Sequence, residues 1–115
     1  MKVKRGEIYW VDWEKGKGSE QAGVRPSLII QNDIGNEHSP NTIVASLSKA
    51  PNKPNPVIVL FTAEECGLAH GGCIDLGSIQ TIAKSRLGDK CGQVDAQKMA
   101  GVDRAIKVSL GLSAL

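Results

Sequence analysis

Arg25 stands between a glycine-bearing loop and an apolar run, in GSEQAGVRPSLIIQND at residues 18–33. A guanidinium stays charged at any working pH, and its planar fork matches two phosphate oxygens at once. Pro26 biases Arg25 towards extended backbone, which holds it at the mouth of the apolar run while the loop before it is free to adjust. Glu20 and Gln21 share that loop, and Ser48 closes a later apolar run, TIVASLS. If the two runs pair as neighbouring strands, Ser48 comes near Arg25. A cation, a carboxylate and a hydroxyl gathered in this way can bind a phosphate group and move protons around it. Spacing alone leaves ordinary roles open: a solvated rim charge, an exposed loop acid and a strand-end hydroxyl bonded to nearby backbone.

These residues need strands to position them. GEIYWVDW, at 6–13, is rich in β-branched and aromatic residues and reads as the first strand. Within it Tyr9 and Trp13 share one face and Trp10 takes the other. EKGKGSEQAGV reads as a loop, and PSLIIQN as the second strand with Pro26 at its start. DIGNEHSPN reads as a turn-rich connection, TIVASLS as the third strand, KAPNKPNP as a proline-rich loop and VIVLF as the fourth strand. TAEECG reads as one capped helical turn, with Thr62 and Glu65 forming a capping box and Gly67 ending it. One or two more strands are expected between Cys73 and Leu87, IQTI being the clearest stretch. From Asp95 to Leu110 the spacing of Met99, Val102, Ile106 and Leu110 predicts a helix, capped by Asp95 with Val94 stapled to Met99. Short strands, Gly/Pro-rich turns and one terminal helix predict a mainly β fold: a small, bent barrel with a C-terminal α-helix packed on it.

The 115 residues, 41% hydrophobic and 23% charged, suit a single globular domain over 1–115. A net charge of +2 permits a phosphate-bearing partner without demanding one, and 3% aromatic content argues against a broad base-stacking platform. Three cysteines, no apolar h-region after the basic N-terminus and no apolar segment of membrane-spanning length together predict a cytoplasmic protein.

The motif G-S-E-Q-x-G-x-R-P, with RGEIYWVDW before it and TIVASLS after it, closely resembles the MazF/PemK family of toxin endoribonucleases. The likeness is dense from Arg5 to Ser48 and resumes at IQTIAKSRL and at VDRAIKVSLGL. It implies an SH3-like small barrel that works as a homodimer and cuts single-stranded RNA at short motifs without a metal or other cofactor. It also implies a MazE-like antitoxin partner with an acidic, initially disordered tail. By the same resemblance Arg25 is the catalytic arginine, Glu20 matches a loop glutamate needed by some members, and Ser48 stands where many relatives carry a catalytic threonine, keeping the hydroxyl without the methyl. Ser19 and Gln21 on the motif loop, and Ser78, Gln80 and Thr81 near the later match, fall in the family's RNA-binding region. Some relatives have glutamine where this chain has Ser78 and arginine where it has Gln80. Between Asn55 and Ser78 the likeness is slight.

Other residues compete for attention. Lys15 and Lys17 on the loop can hold phosphates with salt-sensitive binding. Imidazole is the common acid–base group for RNA cleavage, which draws notice to His38 and His70. His38 can line an RNA groove from its turn-rich connection, or simply be an exposed loop histidine. His70 beside Gly71 and Gly72 reads by default as part of a turn, and Asp75 can meet a base edge or end a strand. Cys66, His70, Cys73 and Cys91 are zinc-ligand types, but their spacing matches no standard site and no metal is expected. The alternative function is a non-catalytic toxin module of the same architecture that acts by protein contact, as gyrase poisons do; fold alone does not separate the two.

Overall fold

The computed structural model describes residues 2–14 and 22–114. Six strands and three α-helices follow in the order β1 (Glu7–Asp12), β2 (Val24–Ile29), α1 (Asp33–His38), β3 (Asn41–Ser48), β4 (Ile58–Phe61), α2 (Ala63–Cys66), β5 (Gly72–Ala83), β6 (Leu87–Gln93) and α3 (Ala96–Ser109), with a 3₁₀ turn at Lys84–Arg86. The strands form one antiparallel sheet in the order β4-β5-β3-β2-β1-β6. The expected mainly β fold with a C-terminal helix is therefore present. Its sheet edges are β4 and β6. Helix α2 lies against the β6 edge, where a Cβ on Gly92 would stand 2.3 Å from the Cys66 carbonyl oxygen. Lys98, in the first turn of α3, donates to the Leu60 carbonyl on β4 at 2.9 Å and so occupies part of the other edge.

Alternation along the strands supplies apolar side chains to both faces. Ile8, Leu28, Ala45, Leu47, Ile74 and Leu76 join Met99, Val102 and Ala105 of α3 in the larger cluster. Tyr9, Val11, Ile29, Val44, Ile82 and Leu87 form the second, with Trp13 packed against it. Each fully buried aliphatic side chain here contributes roughly 1.5–3 kcal/mol relative to an exposed one. Arg5 binds the parts together: its Nε donates to the Ile30 carbonyl at 2.8 Å and its Nη2 meets Asp103 of α3 at 2.6 Å.

Several sequence expectations need correction. The second strand begins at Val24, so Pro26 is its third residue; its ladder with β3 starts only at Ser27, and the missing proline N–H interrupts nothing there. The stretch read as a turn-rich connection is helix α1, nucleated by the Asn32 side chain accepting from the Gly35 N–H and anchored by buried Asn36, which accepts from Thr42 Oγ1 at 2.7 Å. The region after Cys73 holds one strand, within the one or two expected; it runs twelve residues from Gly72, with a register shift opposite Ala45/Ser46. Strand β6, LGDKCGQ, begins where strand content was expected to stop; its glycines and charges hide the pattern, and pairing with β1 imposes the extended form. Leu110 caps α3 and is 55% exposed rather than part of its buried face. Among the described residues no helix is long and apolar enough to cross a membrane.

Candidate active site

Strand pairing decides where Arg25 and Ser48 lie. Antiparallel β2 and β3 match Ser27 with Ser46, and the same register carried two residues further sets Arg25 opposite Ser48. On the other side of β3, Ser48 pairs with Cys73 of β5. Ser48 and Cys73 thus stand side by side, and alternation puts Arg25, two residues before the end of the ladder at Ser27, on the same face of the sheet. Ser48 Oγ lies 3.6 Å from Cys73 Sγ, and that sulfur is also 3.6 Å from the Lys49 carbonyl oxygen, which it can reach as a donor.

The supports of Arg25 are local. Trp13 donates its backbone N–H to Gly23 and Gly23 donates to Glu14, both at 2.9 Å, closing the base of the β1–β2 connection. Gly23 has φ 81°, a left-handed conformation that suits glycine. Trp13 Nε1 donates to Ser27 Oγ at 2.9 Å, and Arg25 Nε donates to the Ala22 carbonyl at 2.9 Å, so the guanidinium is tied to the end of the motif loop. Two glycines seat the opposite wall. A Cβ on Gly72 would fall 2.4 Å from the Ser48 carbonyl oxygen, and one on Gly71 2.9 Å from that of Phe61. Only a backbone without side chains can run this close to the ends of β3 and β4.

The result is an open cleft of about 380 Å³, within the range of roughly 300–1,000 Å³ common for small-ligand sites. Arg25, Ser48, Lys49 and His70 border it, but its strand side chains Trp10, Pro26, Leu47 and Phe61 come from the face that packs on α3, opposite to the face of Ser27 and Trp13. Among the described residues its ionisable lining is Arg25, Lys49 and His70, so the cleft presents positive charge to an anion. Trp10, 42% exposed, offers an apolar wall, and its position opposite to Tyr9 and Trp13 agrees with the alternation expected for the first strand.

His70, noted in the sequence as an acid–base and zinc-ligand type and read by default as part of a turn, borders the cleft; the Gly71-Gly72 pair beside it is the point of closest approach to β3 and β4. Other expected site residues are not gathered here. His38 is in the last turn of α1, at the start of β3 and hence the far end from Ser48, with its imidazole 73% exposed and 3.9 Å from Glu37. Ser78, Gln80 and Thr81 lie along β5, five to eight residues beyond Cys73, and are not among the cleft's lining. Ser78 Oγ donates to Asp75 Oδ2 at 2.9 Å, and the Gly77 N–H to Asp75 Oδ1, so Asp75 organises the β5 bulge. Lys15, Lys17, Ser19, Glu20 and Gln21 lie outside the described residues. Cys66 and Cys73 are buried and Cys91 half-buried; burial pushes the thiols of Cys66 and Cys91 up, away from thiolate. Among the described residues no three His, Cys, Asp or Glu side chains cluster as a metal would require.

A family model described as PemK-like, MazF-like toxin of type II toxin-antitoxin system matches residues 4–110. The chain belongs to the PemK/MazF toxin family. The match spans both walls of the cleft, including the stretch between Asn55 and Ser78 where the sequence likeness is slight. Endoribonuclease EndoA of Bacillus subtilis is 45% identical over 113 residues, 97% of each chain, and Endoribonuclease MazF of Staphylococcus epidermidis is 41% identical over 112 residues, 96% of this chain and 93% of its own. Among solved structures, an endoribonuclease in complex with its cognate antitoxin from Mycobacterial species superposes with TM-score 0.80 at 25% identity, covering 98% of this chain and 99% of its own. MazF of Deinococcus radiodurans has the same fold, with TM-score 0.79 at 20% identity over 96% and 98%.

Proposed function

We propose that the protein is a toxin endoribonuclease that cuts single-stranded RNA at a short sequence motif by attack of the neighbouring 2′-OH, without a metal. The observation that supports the assignment of the site is the β2–β3 register, whose last pair, Ser27 with Ser46, leaves Arg25 and Ser48 each two residues further along on the same face. Both named relatives that match nearly the full chain are endoribonucleases, which favours RNA chemistry over a gyrase-type contact toxin.

In this reading Arg25 offsets charge that develops on the five-coordinate phosphorus, the task for which a fixed guanidinium is suited. Ser48 Oγ holds the phosphate or the attacking hydroxyl. Glu20 acts from the motif loop in an assisting role, and Lys15, Lys17, Ser19 and Gln21 bind the RNA strand. His38, Ser78, Gln80 and Thr81 contact RNA outside the cleft. The protein is a single domain, acts in the cytoplasm as a homodimer, and is neutralised by an antitoxin whose acidic tail occupies the positive cleft in place of phosphate. The solved relative bound to its cognate antitoxin supports a partner of that class.

The test is cleavage of a long, unstructured RNA in EDTA, with ends mapped. Wild type is expected to cut at a short motif and leave cyclic phosphates. Arg25→Ala is expected to lose about 10²-fold or more of that rate. Near-normal cleavage by Arg25→Ala would remove Arg25 from the mechanism, and no cutting by wild type would remove the ribonuclease reading.

A further inference from the structure

Phosphate contacts place an RNA strand, and base contacts choose it. Arg25 and Ser48 suit the first task, and the face of the sheet that carries them continues past them. Ser48 pairs with Cys73, and two residues along the ladder Ser46 pairs with Asp75. Cross-strand partners share a face, as do residues two apart, so Asp75 stands on the face of Arg25 and Ser48, about 7 Å along β5 from Cys73. Beyond the register shift Gln80 pairs with Val44 of the same face, which puts Ser78 there too.

Asp75 Oδ1 accepts from the Gly77 N–H at 2.9 Å, and Oδ2 accepts from Ser78 Oγ at 2.9 Å. The Ser46 hydroxyl, fully buried across the ladder from Asp75, has no partner among the described residues. The carboxylate is therefore turned along β5 to the bulge and not across to β3. Asp75 and Ser78 are both half-buried, so each keeps part of its surface open to solvent.

We propose that Asp75 and Ser78 are specificity-determining residues of this ribonuclease: together they select a base whose edge carries an amino group and reject uracil. The proposal rests on the ribonuclease reading above. Its chemistry follows from the place of one hydrogen. A serine hydroxyl has one hydrogen and two acceptor lone pairs. Ser78 gives that hydrogen to Asp75, so towards a ligand its oxygen only accepts. As a carboxylate Asp75 has no hydrogen to give, and its two bonds leave about two of its four lone-pair sites free. The pair is thus a patch of acceptors. A carboxylate on a face that takes RNA repels phosphate and gains only from a hydrogen-bond donor. Unstacked RNA bases are read on their edges. Cytosine, adenine and guanine each offer amino hydrogens there. Uracil offers a single N–H between two carbonyl oxygens, which repel the acceptors. The ribose 2′-OH is a donor too, but it is the same on every nucleotide, and contact with it alone leaves no preference among bases.

Cleavage of a sequence-diverse, unstructured RNA pool in EDTA, with the cut ends sequenced, tests the pair. Wild type is expected to disfavour uracil by at least about 10-fold at one position of its motif, the scale of one good base-edge contact. Asp75→Asn keeps an acceptor for the Gly77 N–H but turns an amide NH2 to Ser78, which frees the serine hydrogen to donate. That variant is expected to admit uracil at the same position, with preferences at the other positions unchanged. A second measurement needs no variant to fold. An oligonucleotide carrying the wild-type motif, with hydrogen in place of the amino group of that one base, is expected to be cleaved by wild type about 10-fold more slowly. An Asp75→Asn protein that keeps the wild-type motif, at whatever rate, would overturn the proposal, since Asp75 would then only shape the bulge. So would wild-type cleavage of the analogue within about threefold of the parent, or a motif indifferent to uracil at every position, the result for a pair that touches only ribose. If wild type does not cleave the pool at all, the ribonuclease reading falls first and the proposal with it. Cleavage that needs Arg25 but keeps its motif in Asp75→Asn leaves that reading standing and removes only the base-reading pair.

Discussion

At Ser48 a hydroxyl stands on a β-strand end beside a thiol, and its freedom is set by its neighbours. Serine lacks the methyl that restricts a threonine rotamer, so its Oγ is held by contacts rather than by its own branching. The contact described is Cys73 Sγ at 3.6 Å, a weak partner. If Ser48 holds the reacting phosphate, Ser48→Ala should slow RNA cleavage by about 10²-fold, the scale for one lost transition-state donor. Its thermal stability should change by less than about 0.5 kcal/mol, since the side chain is only half-buried and its bond to Cys73 is weak. Ser48→Thr should cleave at least as fast as wild type, because the added methyl fixes the oxygen. Matched rate and melting measurements on the three proteins decide it: a Ser48→Ala protein that cleaves normally removes the hydroxyl from the chemistry. The residue scale also shows what sequence could hold. Arg25 and Ser48 were legible because β2 and β3 are consecutive and their pairing follows from adjacency. The placing of Cys73 beside Ser48 was not, because it depends on β5 pairing across β3 and on a backbone approach that no side-chain pattern records.

Among the elements, the segment from α2 into β5 decides whether the cleft has two walls. Thr62 and Glu65 form the expected capping box, with 2.8 and 3.2 Å bonds, and Gly67 at φ 70° ends the helix. The chain then passes Leu68 to Gly71 along the cleft and enters β5 at Gly72, under the Ser48 carbonyl. Gly72→Ala would drive a Cβ into backbone, where no rotamer change gives relief. The expected cost is about 1–3 kcal/mol, with cleavage lowered beyond what the unfolded fraction explains, since Ser48 is displaced. Chemical denaturation beside cleavage at a fixed folded fraction checks this; an alanine variant of wild-type stability would show that the two strands separate easily. The same region marks how far local pattern carries. The capping box, Gly67 and the Met99–Val102 face of α3 were readable because local hydrogen bonds and a 3.6 period create them. Strand β6 was not, because LGDKCGQ is extended only through its partner β1, and α1 was masked by Gly35 within a stretch of turn-formers.

On the scale of the molecule, the second apolar cluster is closed by a polar chain that joins three segments. Tyr9 buries its ring among Val11, Ile29 and Leu87 and donates its hydroxyl to Glu7 Oε1 at 3.0 Å. Burial would raise the Glu7 carboxyl, yet hydrogen bonds from Lys90, from the Lys4 backbone and from Tyr9 outweigh it and hold it below the usual carboxylate range. A carboxylate thus faces the phenol, and β1, β6 and the N-terminal segment share one network. Burial first, and then the bond to Glu7, push the Tyr9 hydroxyl from 10.0 up to about 12. In the unfolded chain the phenol ionises near its ordinary value of about 10. Between those two values the folded state keeps a proton that the unfolded state has lost, so the stabilisation is complete below the lower value and disappears as pH rises through the higher. The protein should therefore lose stability steeply between about pH 10 and 12. Tyr9→Phe should be less stable at neutral pH by about 1 kcal/mol for the lost hydrogen bond, but should show a shallower alkaline decline. Tyr9 is the chain's single tyrosine, so tyrosinate absorbance reports this group alone. A titration of the native protein that rises near pH 12 and coincides with unfolding supports the network; a reversible rise near pH 10 in folded protein would mean that Tyr9 is neither buried nor bonded to Glu7 as described.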